Sequence, residues 1–314
     1  MGARIDAARC AELFAGADDI VLLSHRDPDG DTLGCAFGLY HALAGLGKRV
    51  RIECESPFPR NLGYFVFETP QEFEPRFVCA LDTASAELLG ALRERYPAID
   101  LCIDHHPTNP LYARETFLAP YAAAGEAVYE VLEQMKVPVT PEIATALYTA
   151  LATDTGSFKH SNTSPQTHRY AADLMECGAD FNATREWVFE SKSRGLVQLE
   201  AEAMQNIGFY GGGRVSVVKI PRELIERTGV CDDELDGVSA RALQIENVLC
   251  GVTLKEKADG VIRVSVRSAS PVDASRICAR FGGGGHKRAA GCRLEVSMEE
   301  AERLIAQAAV EELL

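Results

Sequence analysis

Apolar runs and amphipathic segments alternate along the N-terminal part of the chain. The runs "IVLLSH", "RVRIEC", "RFVCALD" and "IDLCID" predict buried strands. The segments "TLGCAFGLYHALAGLG" and "SAELLGALRERYP" lie between them and have apolar residues at helical spacing, the first with a glycine stop at Gly47. Such alternation is typical of βαβ units, so it predicts an α/β domain with a mostly parallel sheet.

From Gly125 to about Phe189 the pattern becomes largely helical. In "PEIATALYTALATDTG", Pro141 suits the first turn of a helix. In "SPQTHRYAADLMECG", Ser164 is expected to cap a helix that Gly178 ends.

A different pattern follows "SRGLVQLEAEAMQNI", which predicts one more helix. The stretch "IGFYGGGRVSVVKI" predicts a hairpin around Gly211–Gly213, and "NVLCGVTLKEKADGVIRVSVRS" predicts a second hairpin that turns at "KADG". A strand in "CRLEVS" and a closing helix in "MEEAERLIAQAAVEELL" complete the chain. We therefore expect a parallel-sheet α/β domain over 1–190, a helical linker over 191–205, and a smaller α/β domain with a mixed or antiparallel sheet over 206–314.

The composition limits the class of protein. A length of 314 residues with 46% hydrophobic content is enough for a substantial core. The net charge of −14 argues against binding of long nucleic acid, because a broad basic surface needs many lysines and arginines. A short phosphorylated ligand held through metal ions remains compatible. No apolar run approaches the ~20 residues of a membrane span, and ten cysteines without a CxxC pair indicate a reducing, cytoplasmic setting.

Potential cation ligands crowd together in "SHRDPDGDTLG", directly after the first predicted strand. They are His25, Asp27, Asp29 and Asp31. Carboxylates this close repel one another unless a cation lies between them. An EF-hand loop does not fit, because the sixth residue from Asp27 is not glycine and the twelfth is not glutamate. An ordinary acidic turn stays open as an alternative, although such a turn has no need of His25.

Further candidate ligands follow later predicted strands. Asp82 ends "FVCALD", Asp104 ends "IDLCID" with His105 next, and Asp154 lies near the end of a predicted helix. Because the carboxyl ends of parallel strands meet at one edge, we expect these residues to line one crevice. Carboxylates mixed with imidazoles suit two divalent cations, Mn²⁺ best, with Fe²⁺, Co²⁺ or Zn²⁺ also compatible. Taken singly, each residue has a plainer interpretation, since strand-end aspartates often cap helices and paired histidines are often structural.

The stretch "CIDHHPTN" carries a resemblance to a known family. Its triplet Asp104–His106 resembles the signature of the DHH phosphoesterase superfamily. "SHRDPDGDTLG" is similar to that superfamily's first motif, Asp82 in "ALDTAS" to the second, and Asp154 in "LATDTGSF" to the fourth. The C-terminal "FGGGGHKRAAG" resembles the glycine-rich motif of the DHH-associated substrate-binding domain. The whole most resembles the small nano-RNase and pAp phosphatase (NrnA) branch, and this implies an active site in the cleft between the two domains.

The resemblance implies two cation sites that share Asp82. The implied ligands are His25, Asp29 and Asp82 for one cation, and Asp31, Asp82, His105 and Asp154 for the other. His106 would lie beside the scissile phosphate as a hydrogen-bond donor or general acid. Asp104 would orient a histidine from outside the ligand set. Asp27 has no assigned role.

The glycine-rich stretch predicts a substrate clamp. The candidate residues are Gly283, Gly284, Gly285, His286, Arg288, Arg267 and Ser268. Consecutive glycine N–H groups before a short helix would form a nest for phosphate, with Lys287 adding charge beside it. A flexible loop is the alternative. His160, after the fourth motif, is expected either to face the cleft or to lie in a solvated loop.

Together with the candidate cation ligands, the resemblance implies a Mn²⁺-dependent phosphodiesterase that degrades short oligonucleotides and linear dinucleotides to mononucleotides, with pAp 3′-phosphatase activity also compatible. A single-strand exonuclease or a cyclic-dinucleotide phosphodiesterase of the same superfamily is one alternative. An inorganic pyrophosphatase and a non-catalytic nucleotide sensor are the others. We expect short oligonucleotides or phosphorylated nucleotides as partners, neither long duplexes nor membranes, and leave a homodimer open.

Overall fold

The computed structural model of this chain describes residues 2–69, 73–235 and 237–313. The chain forms two compact units, Met1–Ser191 and Lys192–Leu314. The helix within the expected linker lies in the second unit and contributes to its core. Among the described residues, none of the helices combines the length and apolar character that crossing a membrane requires.

A fully parallel sheet with helices around it forms the first unit. The described strands are β1 (Ala3–Arg4), β2 (Ile20–Leu23), β3 (Val50–Glu53), β4 (Phe77–Leu81), β5 (Leu101–Asp104) and β6 (Glu115–Leu118). The helices are α1 (Ala7–Gly16), α2 (Gly30–Gly45), α3 (Leu92–Arg95), α4 (Ala124–Met135), α5 (Pro141–Asp154), α6 (Pro165–Glu176) and α7 (Phe181–Thr184), with 3₁₀ turns at Arg60–Leu62 and Ala86–Leu89 and a π-helical turn at Arg185–Glu190. The strand order is β1–β6–β5–β4–β2–β3. The predicted parallel α/β domain is therefore confirmed.

Strand β2 shows why the parallel strands are apolar at every position. Ile20 and Leu22 pack into the core formed with α1, α2, α4 and α5. Val21 and Leu23 point to the other face and pack with Leu89 and its neighbours. All four strand residues are fully buried. A sheet covered on both faces needs apolar side chains in both directions, so the run does not alternate.

Helices α2 and α5 pack closely, and this contact positions two carboxylates. A Cβ atom on Gly34 of α2 would lie 2.4 Å from the carbonyl oxygen of Ala146 on α5. Any side chain at this position would push the helices apart. Asp31 lies in the first turn of α2, and Asp154 is the last residue of α5. The glycine therefore helps to set the separation between Asp31 and Asp154.

The second unit is a smaller α/β domain with a mixed sheet. Its described strands are β7 (Gly208–Tyr210), β8 (Val215–Ile220), β9 (Cys250–Glu256), β10 (Ile262–Ser268), β11 (Gly284–His286) and β12 (Ala289–Leu294). Its helices are α8 (Arg194–Gln205), α9 (Arg222–Thr228), α10 (Val238–Arg241), α11 (Ala274–Ala279) and α12 (Met298–Glu311), with a 3₁₀ turn at Asp232–Leu235. The order is β11–β12–β10–β9–β8–β7, and β8 with β9 is the parallel pair while the other neighbours are antiparallel. Both predicted hairpins are present.

The glycine-rich stretch differs from its prediction. It does not precede a short helix. It forms strand β11, which pairs with β12 in a tight antiparallel hairpin with His286 opposite Ala289. A Cβ atom on Gly283 would lie 2.2 Å from the carbonyl oxygen of Gly291. Close backbone packing thus accounts for at least one of these glycines without any bound anion.

Candidate metal centre

The predicted cation ligands come together at the carboxyl edge of the first sheet. Strand β2 ends shortly before His25, β4 ends just before Asp82, β5 ends at Asp104 with His105 next, and α5 ends at Asp154. Candidate ligand atoms form three overlapping groups, each within 4.8 Å. The groups are Asp82, His105 and His106; His25, Asp29 and Asp82; and Asp31, His105 and Asp154. The structure thus collects every residue expected to bind a cation.

Asp82 lies at the middle of this centre. Its Oδ2 is 3.9 Å from His25 Nε2, and its Oδ1 is 3.4 Å from His105 Nε2. His105 Nε2 is also 3.8 Å from Asp31 Oδ2 and 3.7 Å from Asp154 Oδ2. Two ligand atoms that each lie about 2.1 Å from one ion stand about 3–4 Å apart, so these spacings suit a bound cation. The two oxygens of Asp82 thus face different candidate ligands, His25 on one side and His105 on the other.

The backbone and side chain of Asp82 are both unusual. Its φ of 51° lies in the left-handed region, which few non-glycine residues adopt. The hydroxyls of Thr32 and Thr83 each donate to the Leu81 carbonyl at 2.9 Å and hold this turn. Asp82 Oδ1 is buried and, among the residues that the structure describes, has His105 Nε2 at 3.4 Å but makes no hydrogen bond. A buried carboxylate oxygen without a partner is costly, and a cation would satisfy it.

The side chain of Asp31, a residue of helix α2, is almost fully buried against the N-terminus of helix α4. Its Oδ2 accepts the Ala124 N–H at 2.7 Å, and its Oδ1 accepts the Gly125 N–H at 2.9 Å. A helix N-terminus favours the charged carboxylate. Burial and the nearby carboxylate of Asp154 nevertheless raise the pKa of Asp31 to about 8. The N-terminus of helix α4 alone therefore does not compensate the negative charge of the Asp31 carboxylate.

The other groups of the centre show the same electrostatic imbalance. Burial and the carboxylate of Asp31 raise the pKa of Asp82 well above its usual range. Burial acts against protonation of His105, but the carboxylates of Asp82, Asp31 and Asp154 outweigh it and raise the pKa of His105 to about 10. The centre would retain protons in place of a cation, and cation binding would release them. Buried carboxylates with imidazoles therefore fit a divalent ion.

Hydrogen bonds determine which nitrogen of each histidine faces the centre. His105 Nδ1 lies 3.2 Å from the Tyr121 carbonyl and can only donate to it, so Nε2 is left as a ligand atom. His106 Nδ1 donates to Asp104 Oδ1 at 2.8 Å, and the half-exposed ring presents Nε2. Burial alone would raise the pKa of Asp104, but hydrogen bonds from His106 and Asn109 outweigh it and lower this pKa. Asp104 thus orients His106 as a carboxylate.

Asp29 and Asp27 differ although they are close in sequence. Asp29 caps helix α2, accepting the N–H groups of Asp31 at 3.0 Å and Thr32 at 3.1 Å. Its Oδ1 also lies 3.7 Å from His25 Nε2. Asp27 is exposed, faces a neighbouring arginine and belongs to none of the three groups. Asp27 therefore has no evident part in the centre.

Asn162 and Asn109 support the centre, and the sequence interpretation did not single them out. Asn162 Nδ2 lies 3.2 Å from the Asp154 carbonyl, and the exposed His160 donates to the same carbonyl from Nδ1 at 3.3 Å. Asn109 donates to Asp104 at 2.6 Å. Both asparagines follow a ligand motif by a few residues, and that spacing is the one signal that could have found them.

The exposed candidates for substrate binding lie in the second unit, around the β11–β12 hairpin. His286 and Arg288 are exposed on the hairpin, and Arg288 Nη1 donates to the Val272 carbonyl at 3.1 Å. Arg267, near the end of β10, is half-buried and donates to the Val266 carbonyl at 3.2 Å. These three side chains place cationic or neutral donors near one hairpin.

Ser268 does not share this exposure. It is buried, and its hydroxyl lies 2.8 Å from the Lys287 carbonyl and 3.0 Å from the Val272 carbonyl. Its N–H also donates to the Arg288 carbonyl at 3.1 Å. The structure therefore gives Ser268 a structural role beneath the hairpin, in place of the phosphate contact expected from the sequence.

Comparison with known families identifies the class of this protein. The profile described as "DHH family, N-terminal domain" matches residues 19–151, and the DHHA1 domain profile matches residues 212–313. The chain belongs to the DHH family. This membership confirms the resemblance seen in the sequence and the prediction of a metal-dependent phosphoesterase.

Individual relatives cover nearly the whole chain. A bifunctional oligoribonuclease and PAP phosphatase NrnA from Thermus thermophilus is 32% identical over 94% of this chain and 90% of its own length. The protein of the same name from Bacillus subtilis is 28% identical over 92% of this chain and 93% of its own length. The crystal structure of an exopolyphosphatase-related protein from Bacteroides fragilis has a TM-score of 0.88 at 25% identity, covering 98% of this chain and 95% of that one.

Proposed function

We propose that this protein hydrolyses short oligoribonucleotides to mononucleotides and removes the 3′-phosphate of pAp, using two divalent cations, with Mn²⁺ the most effective. The observation that carries the proposal is the position of Asp82. Its Oδ2 faces His25 and its Oδ1 faces His105, and Oδ1 is buried without a hydrogen bond among the described residues. The NrnA relatives named above supply the substrate class.

The chain's own residues divide the work of hydrolysis. When bound, two divalent cations activate water as a nucleophile and neutralise charge on the phosphate. His25, Asp29 and Asp82 would hold one cation, and Asp82 with Asp31, His105 and Asp154 would hold the other. His105 is oriented for this task because the Tyr121 carbonyl fixes its Nδ1 proton. These contacts set the ligand atoms before substrate arrives.

His106 contributes a separate function. Asp104 accepts a hydrogen bond from its Nδ1–H, so the ring is held in one orientation with Nε2 outward. In the protonated ring, Nε2–H would donate to a phosphate oxygen or to the leaving oxygen. Asp104 stays a carboxylate, because hydrogen bonds from His106 and Asn109 lower its pKa against the effect of burial, and so it can hold the ring in this orientation.

The preference for short substrates has an electrostatic basis. The chain has a net charge of −14, so its surface offers little attraction for a long polyanion. Binding energy must then come from a few local contacts. We propose that His286 and Arg288 on the β11–β12 hairpin, with Arg267, bind the part of the substrate that is not cleaved.

A turnover series tests the function. End-labelled oligoribonucleotides from 2-mers to 24-mers, with pAp and pyrophosphate alongside, are incubated with the protein and Mn²⁺ or Mg²⁺. We expect rates that are highest for the shortest oligomers, hydrolysis of pAp, and slower turnover with Mg²⁺, since imidazole ligands suit Mn²⁺ better. Rates that rise steadily with length would contradict the proposal and favour an exonuclease, and pyrophosphate as the best substrate would favour a pyrophosphatase.

Variants of the hairpin test the clamp. Arg288→Ala should lower kcat/KM for dinucleotides by about 10-fold or more, as expected for a lost hydrogen bond to a charged group. Arg293→Ala is the matched control, because Arg293 is exposed on the neighbouring strand β12. Equal losses in both variants would mean that general surface charge, not the clamp, is responsible.

The cellular setting stays a prediction. All ten cysteines are free thiols in the structure, and most are buried. This supports the proposal of a reducing, cytoplasmic compartment. Homodimer formation is likewise a proposal that sedimentation of the purified protein would test.

A further inference from the structure

Asn109 is buried beside the two histidines of the signature triplet, with both ends of its side chain held. It is 7% exposed. Its Nδ2 donates to Asp104 Oδ2 at 2.6 Å and lies 3.3 Å from the Thr83 carbonyl. Its Oδ1 accepts the Leu111 N–H at 2.8 Å. Because a backbone N–H can only donate, the amide oxygen must face Leu111 and the amide nitrogen must face the carboxylate.

Asp104 accepts hydrogen bonds on both carboxylate oxygens, and Asn109 supplies the one on Oδ2. Asp104 Oδ1 accepts hydrogen bonds from His106 Nδ1–H at 2.8 Å and from the backbone N–H of His105 at 2.8 Å. Oδ2 has Asn109 as its hydrogen-bond partner among the described residues. Rotation of the carboxylate about its own axis would move Oδ1 away from His106. The amide of Asn109 opposes that rotation from the other side.

The amide is also the side chain that chemistry favours here. An apolar residue would leave a fully buried carboxylate oxygen unpaired, which is costly. A carboxylate would stand 2.6 Å from another carboxylate, so one of the two would have to take up a proton. An amide supplies a donor without adding charge. Through the Thr83 carbonyl, it also ties this loop to the turn that carries Asp82.

We infer that Asn109 is a positioning residue for phosphoester hydrolysis, which it serves by holding Asp104 so that His106 presents Nε2 to the substrate phosphate. The inference rests on the proposed function. Asn109 is buried, and among the described residues its side chain makes no hydrogen bond to the side chain of a proposed cation ligand, so we expect its effect to pass through Asp104 and His106. That dependence separates it from a residue that only stabilises the fold.

A double-mutant cycle tests this dependence. The variants are Asn109→Ala, His106→Ala and the double variant, assayed for kcat and KM on a dinucleotide with Mn²⁺. Asn109→Ala alone should lower kcat by about 10–100-fold, the range typical of residues that orient an active-site group. KM and the Mn²⁺ affinity from calorimetry should stay within about 2-fold. In the His106→Ala background, the same change should lower kcat by less than 2-fold.

Three companion variants sharpen the result. Tyr112→Phe is the control in the same loop, because the Tyr112 hydroxyl accepts from Cys102 Sγ at 3.4 Å and, among the described residues, makes no hydrogen bond to Asp104 or His106. It should leave kcat within 2-fold of the parent. Asn109→Asp should reduce kcat at least as much as Asn109→Ala. If Asn109→Ala does not fold, Asn109→Ser, which keeps a small donor, takes its place in the cycle.

Several outcomes would overturn the inference. They are a kcat loss in Asn109→Ala that is equally large without His106, a loss that appears as weaker Mn²⁺ binding, and an unchanged kcat. A crystal structure of Asn109→Ala in which Asp104 and His106 keep their positions would also count against it. Failure of the proposed function is a distinct result, because the parent protein would then turn over neither dinucleotide nor pAp.

Discussion

The metal centre of the first unit and the glycine-rich hairpin of the second unit hold their polar groups in different ways. In the metal centre, Asp31 and Asp82 are almost fully buried, and Asp82 has a left-handed backbone. On the hairpin, His286 and Arg288 are exposed. The hydroxyl of Ser268, buried below it, contacts the backbone carbonyls of Val272 and Lys287.

This difference in burial predicts how each region responds to ligand binding and to mutation. Buried carboxylates without full compensation are unfavourable until a cation binds, so the centre is poised for that ion before substrate arrives. Exposed donors on a hairpin contribute little to the stability of the free protein. They would form their hydrogen bonds to phosphate when the ligand binds. Substitutions in the centre should therefore change activity by large factors and alter the cation-free protein. Substitutions around the hairpin should have smaller and more separable effects.

The largest expected effect comes from Asp82→Asn, which keeps the shape of the side chain and its tolerance of a left-handed backbone. Because Asp82 faces both ligand groups, the variant should lose more than the 10–100-fold typical of outer residues. Calorimetry should show that binding of both cations is weakened, not one alone. The measurements are kcat on a dinucleotide and the number of Mn²⁺ ions bound per chain.

Stability of the same variant supplies the control. Because burial and Asp31 raise the pKa of Asp82 and favour its neutral form without a cation, the neutral asparagine should leave the cation-free protein about as stable as the parent. A variant that is strongly destabilised without cations would mean that Asp82 is needed for the fold. The activity loss would then carry no information about metal sharing.

The next prediction concerns the pH dependence of the cation-free protein. The pKa of Asp31 is raised to about 8 and that of His105 to about 10, both above their values in an unfolded chain. The folded state therefore binds these protons more tightly than the unfolded state does. Their contribution to stability is complete below the unfolded pKa and is lost as pH rises through the folded pKa. In EDTA, the melting temperature should fall as pH rises from about 6.5 to 9.

Saturating Mn²⁺ should remove or reverse that trend, because a cation competes with the same protons and binds more tightly as pH rises. Thermal unfolding at a series of pH values, with EDTA or with Mn²⁺, measures both arms. Parallel curves in the two conditions would show that the centre does not exchange protons for a cation.

The metal centre could be predicted from sequence because topology alone brings its parts together. Asp82 and Asp104 end or follow apolar runs that could only be buried strands, and parallel strands place their carboxyl ends at one edge. His25 follows the first such run directly. The predicted residue types and their order were thus sufficient, and side-chain contacts were not needed.

The hairpin could not be predicted in the same way. Four consecutive glycines permit a helix-capping nest and a strand equally well, and the choice is made by pairing of β11 with β12, which is tertiary. The hydroxyl of Ser268 donates to the Lys287 carbonyl, a contact between residues far apart in the sequence. Asn109 was missed for a related reason, since its role becomes visible only once the carboxylate of Asp104 lies 2.6 Å away.

The smallest expected effect is that of Ser268→Ala, and it tests whether the hairpin's framework can be separated from its ligand contacts. The hydroxyl lies within hydrogen-bonding distance of two backbone carbonyls, so its removal should lower the free energy of unfolding by about 1 kcal/mol. KM for dinucleotides should stay unchanged, because the hydroxyl is buried and turned toward the backbone. Ser265→Ala, half-buried on the same strand, is the control and should change stability by less than about 0.5 kcal/mol. Urea unfolding and steady-state kinetics on the same preparations measure both quantities. A raised KM with unchanged stability would show that Ser268 binds substrate after all, and it would mean that the buried and exposed parts of the hairpin act as one site.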